Sequence, residues 1–287
     1  SKMYVSVNSR VKVEDLIRGV IVQSGNDASI VLAEGLAGSE AAFSLELNEV
    51  AKTLGMKNTN FTNASGWPDP DHYTSARDLA KLAIATVKNF PEYYKYYSEK
   101  FFTFSGIEQY NRNPTLYRNL GADGLKTGRT QSAGYGLAAS ALREDRRLVL
   151  VINGLPSKKA RANESARLLD WGYRIFDNYK LFEARETVTD ASVWMGDMGK
   201  VPLLIMQDLT ITLPRKARKK LKVTALFNQP IQAPIKKGDK LAKLTIEIAG
   251  KKKLEVPLFS GADVNQLGLF LRLSAALRYI LWGEEAG

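Results

Sequence analysis

The spacing of apolar residues changes along this chain, and the change limits the folds that the chain can adopt. From about residue 123 onward the spacing has period two, and the stretches 135–142 and 146–153 alternate on either side of Glu144-Asp145. This alternation predicts a β-hairpin, because successive side chains of a strand point to opposite faces. A helix is predicted to follow at about 160–177.

The preceding part of the chain has helical spacing instead. Residues 14–37 are predicted to form two helices separated by a turn at Ser24-Gly25-Asn26. A further helix, at about 39–54, is predicted to end at Gly55, and Ser75 is the predicted N-cap of the helix after it. Helices beside an antiparallel sheet indicate an α+β domain.

The pattern changes again after about residue 180, and 287 residues are enough for two domains. Short segments with alternating apolar residues predict a small all-β domain. These segments are residues 208–214, 220–227, 240–250 and 251–259. A helix with a broad apolar face is predicted to end the chain. The predicted domains are an α+β domain at 1–180, a β-sandwich-like domain at 181–262 and an amphipathic helix at 263–287.

The chain is strongly basic, with a net charge of +11, and it contains no cysteine. The charge favours an anionic partner, such as a lipid surface, a nucleic acid or an acidic polymer. The lack of cysteine excludes disulfides, thiolate metal sites and a thiol nucleophile. Nucleic-acid binding is disfavoured, because the basic residues lie on short strands without interleaved aromatic residues. The apolar C-terminal helix, with Arg272 and Arg278, favours an anionic membrane surface.

Two short motifs lie about a hundred residues apart, Ser24-Gly25-Asn26 after a predicted helix and Lys126-Thr127-Gly128 on a predicted strand. Alone, the first is typical of a turn that ends a helix, and the second of a solvated charge. In this order and context they resemble the second and third motifs of the penicillin-recognising serine enzymes. Flanking stretches resemble the low-molecular-mass D-alanyl-D-alanine carboxypeptidases over essentially the whole chain, and these stretches are 18–39, 55–67, 73–83, 125–141 and 165–176.

The resemblance implies a β-lactamase/transpeptidase-like catalytic domain and a serine-type D-Ala-D-Ala carboxypeptidase. Its substrate would be a peptidoglycan stem peptide that ends in D-Ala-D-Ala, and β-lactam antibiotics would acylate it. No cofactor and no metal is implied. The implied location is the periplasm, with peripheral attachment to the outer face of the bacterial inner membrane.

Acyl transfer needs a nucleophile, a proton relay, an oxyanion hole and a carboxylate anchor. Ser24 is a candidate proton relay toward the leaving amine. Asn26 offers an amide to orient the peptide group of the substrate and a neighbouring lysine. Lys126 provides a cation that can hold Ser24 and stabilise developing negative charge. These three residues are the predicted catalytic group.

A second group of residues is predicted to bind substrate. Thr127 can hydrogen-bond the terminal carboxylate, and Gly128 has no Cβ, so that substrate can lie against the strand. The resemblance assigns half of the oxyanion hole to the backbone N–H of Arg129, where several relatives have histidine, and Thr130 follows on the same face as Gly128. Arg161 aligns with an arginine that supports carboxylate binding, although an ion pair with Glu164 is an alternative.

The nucleophile of the family belongs to a Ser-x-x-Lys motif on a helix, and residues 1–287 contain one match, Ser9-Arg10-Val11-Lys12. On a continuous helix Ser9 and Ser24 would be about 22 Å apart, too far to cooperate. Residues 1–13 also alternate like a strand. We therefore expect that the true motif lies upstream of Ser1 and that the catalytic domain in this chain is incomplete at its N-terminus.

Two other functions remain open. Class A β-lactamases carry a Glu-x-x-Leu-Asn loop between the two motifs, but the nearest stretch here begins with Ser44 and therefore lacks the deacylating glutamate. A non-catalytic murein-binding protein is the other alternative, although both motifs are intact. The single histidine, His72, lies in a proline-rich loop and is not predicted to be catalytic.

Overall fold

A computed structural model describes residues 1–248 and 251–282, without the side chains of 251–253, 275–276 and 278–282. The chain divides into two compact units, residues 1–174 and 175–287. The expected helix at 263–287 is described as far as residue 282, and the rest of that range lies outside the described residues.

The first unit combines helices with an antiparallel sheet, as the change of spacing predicts. Its helices are α1 (Val13–Arg18), α2 (Asn26–Ala37), α3 (Glu40–Thr53), α4 (Ala76–Asn89), α5 (Pro91–Tyr94) and α6 (Lys158–Ile175). Single turns of 3₁₀-helix lie at Lys95–Ser98 and Pro114–Tyr117, and a π-helical segment lies at Gly19–Gln23. The predicted helix at 160–177 is confirmed with a shift of two residues.

Local signals at the helix ends are confirmed. The Ser75 hydroxyl accepts a hydrogen bond from the N–H of Asp78 at 3.2 Å, which satisfies a free donor of the first turn of α4. Gly55, two residues after α3, has a φ of +69°, a left-handed conformation that glycine adopts without steric cost.

The strands of the first unit form a hairpin and a three-stranded sheet. They are β1 (Phe101–Phe104), β2 (Ile107–Tyr110), β3 (Ala122–Thr130), β4 (Gly134–Arg143) and β5 (Arg146–Leu155). β1 pairs with β2, and the larger sheet has the antiparallel order β3-β4-β5. The predicted hairpin is therefore confirmed, with Arg143 paired to Arg146 across the turn at Glu144-Asp145.

Helices cover both faces of the three-stranded sheet. Leu125 of β3 is buried against Ala83 of α4 and Tyr94 of α5. On the opposite face, Ala141 of β4 is buried against Leu169 and Tyr173 of α6. Each buried leucine contributes about 1.5–3 kcal/mol. This packing fixes β3, which carries the lysine motif, between two layers of helix.

The start of the chain contradicts the strand-like alternation. Residues 1–12 form no strand, and α1 begins at Val13. The carboxylate of Asp27 accepts hydrogen bonds from the N–H groups of Met3, Tyr4 and Val5 at 2.8, 2.8 and 3.1 Å. A side chain thus takes the backbone donors that a strand would use in a ladder.

The second unit consists mainly of strands. They are β6 (Phe176–Phe182), β7 (Thr187–Trp194), β8 (Lys200–Leu204), β9 (Leu209–Pro214), β10 (Leu221–Leu226), β11 (Ile231–Gln232), β12 (Lys240–Ile248) and β13 (Lys251–Ser260). The larger sheet has the order β10-β12-β13-β8-β7-β11, and β6 pairs with β9. Both sheets contribute to one apolar core, with Leu209 from β9 and Leu203 and Ile246 from the larger sheet.

The predicted C-terminal helix is present as α7 (Leu269–Trp282). Its described apolar side chains are exposed, from 56% for Leu273 to 87% for Phe270. The chain thus has the predicted α+β first part, a β-sheet second part and a terminal helix.

Candidate active site

Ser24 lies at the end of an unusual helical turn. α1 continues into the π-helical segment Gly19–Gln23, and Ser24 follows in the left-handed conformation with φ 57° and ψ 41°. The N–H of Gly25 closes this wide turn on the carbonyl of Gly19 at 3.0 Å. π-turns and left-handed residues other than glycine are rare and concentrate at functional sites, because the strain must be held by the surrounding structure.

The backbone after Ser24 continues directly into α2. Asn26 is the first residue of α2, and its N–H donates to the carbonyl of Ser1 at 2.9 Å. Gly25 passes close to the start of the chain, since a Cβ there would lie 3.0 Å from the Cβ of Met3. Backbone contacts thus hold Asn26, and its amide side chain is left without a partner among the described residues.

Lys126 of β3 contacts Ser24 across 102 residues of sequence. Its Nζ donates to the Oγ of Ser24 at 2.6 Å and to the carbonyl of Thr127 at 3.1 Å. Burial is the largest cause that lowers the pKa of Lys126, and together with the nearby charges of Arg112 and Arg161 it brings this pKa from 10.5 to about 8. Lys126 is therefore a cation at neutral pH that can lose its proton at mildly alkaline pH.

Arg112 and Arg161 form a cationic cluster with Lys126. Arg161 is 6% exposed, its Nη1 and Nη2 have only long hydrogen bonds of 3.4 Å to the carbonyls of Gly136 and Arg112, and its Nε is buried without a partner. Among the described residues, no carboxylate forms an ion pair with either arginine. A buried guanidinium with unused donors is suited to bind an anion such as a carboxylate.

The alternative ion pair between Arg161 and Glu164 is wrong. Glu164 instead pairs with Arg167 at 2.8 Å, one turn further along α6. Arg112 was not predicted as a site residue, because a single basic residue in a polar loop has no spacing signal. Its role depends on the distant residues Lys126 and Arg161, whose pKa values its charge lowers.

The predicted substrate-binding residues follow Lys126 on β3, which is an edge strand of its sheet. Its inner edge pairs with β4, so that Gly128 lies opposite Gly136 and Arg129 opposite Tyr135. Its other edge leaves backbone N–H and C=O groups available for an extended peptide. A Cβ at Gly128 would meet no atom within 4 Å, which indicates open space at this point of the strand.

The side chains of Arg129 and Thr130, at the end of β3, contact β4 and the turn that leads to it. The guanidinium of Arg129 stacks on the ring of Tyr135 at 5.1 Å. The hydroxyl of Thr130 accepts from the N–H of Ala133 at 2.9 Å, within the turn between β3 and β4. These contacts shape the strand end and keep the backbone of Arg129 in place.

Ser9 and His72 have structural contacts. Ser9 lies in the irregular segment before α1, where its hydroxyl donates to the carbonyl of Ser6 at 2.7 Å. His72 accepts at Nδ1 from the N–H of Thr62 at 3.2 Å, and burial lowers its pKa. In the part of the chain that the structure describes, no three His, Asp or Glu side chains are grouped so that they could hold a metal ion.

Comparison with known proteins gives two family matches in chain order. Residues 1–157 match the D-alanyl-D-alanine carboxypeptidase family, and residues 176–266 match the C-terminal domain of penicillin-binding protein 5. The chain is 41% identical to D-alanyl-D-alanine carboxypeptidase DacA of Haemophilus influenzae, over 95% of this chain and 70% of that protein. It is 40% identical to DacC of Escherichia coli, over 95% of this chain and 69% of that protein.

Solved structures agree with these matches. Penicillin-binding protein 5 of Haemophilus influenzae has a TM-score of 0.85 and 40% identity, with coverage of 93% of this chain and 78% of that chain. Penicillin-binding protein D2 of Listeria monocytogenes in its ampicillin-bound form has a TM-score of 0.55 and 30% identity, with coverage of 60% of this chain and 72% of that chain.

Proposed function

Since the chain belongs to the D-alanyl-D-alanine carboxypeptidase family, we propose that its Ser24–Lys126 site removes the terminal D-alanine from peptidoglycan stem peptides. The observation that carries this proposal is the 2.6 Å contact between Lys126 Nζ and Ser24 Oγ. It joins the two motifs at a cationic site beside an open strand edge. The reaction is acyl transfer to a serine, and β-lactams acylate the same serine.

In the proposed reaction, a serine hydroxyl attacks the carbonyl carbon of the penultimate D-alanine. The C–N bond then breaks, and the terminal D-alanine leaves after its nitrogen takes a proton through Ser24. Water hydrolyses the resulting ester and regenerates the serine. The attacking serine belongs to a Ser-x-x-Lys motif outside residues 1–287, because Ser9 lies in an irregular segment and Ser24 serves as the relay.

The carboxylate of the terminal D-alanine binds to the cationic cluster. Arg161 has a buried Nε without a partner, and Arg112 lies close enough that its charge lowers the pKa of both Lys126 and Arg161. Thr127 follows Lys126 on the strand and supplies a hydroxyl to the same carboxylate. This anchor places the scissile bond beside the outer edge of β3, where the backbone N–H of Arg129 donates to the oxyanion.

The experiment that tests the function measures D-alanine release from a peptide ending in D-Ala-D-Ala by the full-length enzyme, with penicillin hydrolysis followed in parallel. We expect steady D-alanine release, and slow penicillin turnover after one equivalent is bound. Ser44, at the position where a β-lactamase would need its deacylating glutamate, is a buried residue of α3 whose hydroxyl donates to the carbonyl of Glu40 at 2.9 Å. Rapid penicillin turnover would favour a β-lactamase. The absence of both D-alanine release and penicillin hydrolysis would favour a non-catalytic murein-binding protein.

The pH dependence of acylation follows from Lys126. Its active form is the cation that donates to Ser24, so acylation should stay near its maximum at pH 7 and fall as the pH rises through the lowered pKa of Lys126, about 8. Stopped-flow acylation by a fluorescent penicillin between pH 6 and 10 measures this fall in rate, the alkaline limb of the pH profile. Lys126→Arg is the control, because arginine keeps its proton over this range. The residual acylation rate of this variant should therefore show no alkaline limb near pH 8. A rate that rises through pH 8 would assign the base role to Lys126.

The proposed location is the periplasm, with α7 attached to the outer face of the inner membrane. The described apolar side chains of α7 are more than half exposed, and they are Leu269, Phe270, Leu271, Leu273 and Leu277. Among the described residues, no single helix is long and apolar enough to cross a membrane, and only the bent pair α2 and α3 reaches that length and composition jointly. A surface-lying helix with a basic domain fits anionic lipid.

Deletion of residues 265–287 should release the protein from vesicles containing phosphatidylglycerol, while acylation in solution is unchanged. Co-sedimentation with vesicles measures this effect. Phe270→Ser with Leu273→Ser should weaken binding in the same direction, whereas Leu36→Ser with Leu45→Ser, at similarly exposed positions of the first unit, should not. Equal vesicle binding by all variants would mean that α7 does not attach the protein.

A further inference from the structure

Asp123 lies three residues before Lys126, at the start of β3, and its carboxylate has three hydrogen-bond donors. Arg147 donates to it with both ends of its guanidinium fork, Nη1 to Oδ1 and Nη2 to Oδ2, each at 2.7 Å. The hydroxyl of Tyr94 donates to Oδ1 at 2.9 Å. A bidentate, charge-assisted pair of this kind fixes orientation as well as distance.

These contacts connect β3 with the other strands and with a helix. Arg147 belongs to β5, and its Nη1 also donates to the Oγ of Ser140 on the intervening strand β4 at 2.6 Å. Ser140 is fully buried. Tyr94 ends α5, and its ring lies 5.3 Å from the guanidinium of Arg147. The Asp123–Arg147 pair therefore joins all three strands of the sheet, and Tyr94 adds the helix that covers it.

The register of β3 changes at Asp123. Ala122 pairs with Ala141 and Gly124 with Ser140, so Asp123 has no partner residue in the ladder. Such a bulge sets which face the following side chains occupy, and a slip of one residue would reverse them. The Asp123 contacts thus anchor β3 at this bulge, three residues before Lys126, whose Nζ reaches Ser24.

Neighbouring residues leave little freedom for this arrangement. A Cβ on Gly124 would lie 2.5 Å from the hydroxyl oxygen of Tyr94, so the strand passes directly over that tyrosine. Leu125 is buried in the cluster that contains Tyr94. The charge of Asp123, in contrast, is not a cause of the lowered pKa of Lys126, which follows from burial, Arg112 and Arg161. An effect of Asp123 on Lys126 must then act through geometry.

We propose that Asp123, held by Arg147 and Tyr94, is a positioning residue for acyl transfer that sets the register of β3 and thereby the contact of Lys126 with Ser24. The inference rests on the proposed function, because it presumes that Lys126 acts in acylation. Asp123 itself does not touch substrate in this proposal. It acts by keeping Lys126 half-buried and within hydrogen-bond distance of Ser24.

The test is Asp123→Asn in the full-length enzyme, compared with Asp170→Asn. Asp170 forms an ion pair of 2.6 Å with Arg143 in the same unit, so it offers the same substitution in a pair remote from the motif. We expect Asp123→Asn to slow acylation by a fluorescent penicillin by at least about 10-fold, since small displacements of positioned groups are costly. The alkaline limb of its pH profile should also move above 8, because a loosened Lys126 regains water.

The shift of the limb separates positioning from a general loss of stability. Asp170→Asn should keep both the rate and the limb of the wild type. If Asp123→Asn does not fold, Tyr94→Phe removes only one hydroxyl and should move the limb in the same direction by a smaller amount. An unchanged limb in the folded Asp123 variant, or in Tyr94→Phe when that variant is the one available, would overturn the inference. A wild-type enzyme that is not acylated at all would instead overturn the proposed function.

Discussion

Replacing Lys126 by alanine is expected to slow acylation of the full-length enzyme by about 10²-fold or more, which is the scale of losing a positioned catalytic group. The substitution removes the cation that donates to Ser24 at 2.6 Å. Without it, Ser24 loses its orientation, and the negative charge that develops in the transition state loses a nearby counter-charge.

The rate of labelling by a fluorescent penicillin measures this effect. The fold should be retained, because Lys126 is not a member of an apolar cluster, and a cation whose pKa is lowered by burial and by Arg112 and Arg161 is held at a cost to stability. Lys52→Ala is the matched control, since Lys52 has a side chain that is 79% exposed on α3, and this variant should react like the wild type. Wild-type labelling by Lys126→Ala would remove Lys126 from the mechanism.

The features that could be predicted from the sequence depend on neighbouring residues. The hairpin of β4 and β5 follows from alternation on either side of a two-residue turn, and the start of α4 follows from Ser75 as its cap. Both signals act within a few residues, so they survive in almost any tertiary environment. The same holds for the strands of the second unit, whose alternation is short and regular.

The features that could not be predicted depend on distant residues. The start of the chain alternates like a strand, yet Asp27 takes three of its backbone donors from more than twenty positions away. The helical spacing before Ser24 contains no sign of the π-turn that places this residue in a left-handed conformation.

The candidate site was predicted only in part, because some of its residues are marked by their neighbours in the sequence and others depend on distant residues. Its motifs, one that ends at the first residue of α2 and one on β3, are short and contiguous, and the resemblance to a family located them. Arg112 was missed, because its importance lies in its distance from Lys126 and not in its neighbours. The pairing of Glu164 with Arg167 instead of Arg161 also depends on which face of α6 is buried.

The second large effect concerns the nucleophile, and we expect that residues 1–287 alone form no covalent adduct with penicillin. Acylation needs a serine within about 3 Å of the oxyanion donors and beside a base. Ser9 donates to Ser6 in an irregular segment, and Lys12 precedes α1 instead of lying one helical turn beyond Ser9. Ser24 has one lysine as its partner, and that lysine is the donor in their contact.

Intact-mass spectrometry after incubation with a β-lactam, followed by peptide mapping, tests this account most directly. It compares residues 1–287 with a chain extended upstream through a Ser-x-x-Lys segment. We predict no mass increase for residues 1–287, and one adduct in the extended chain, on the serine of that segment. A stoichiometric adduct mapped to Ser9 or Ser24 in either chain would contradict the assignment of Ser24 and Lys126 as partners of a separate nucleophile.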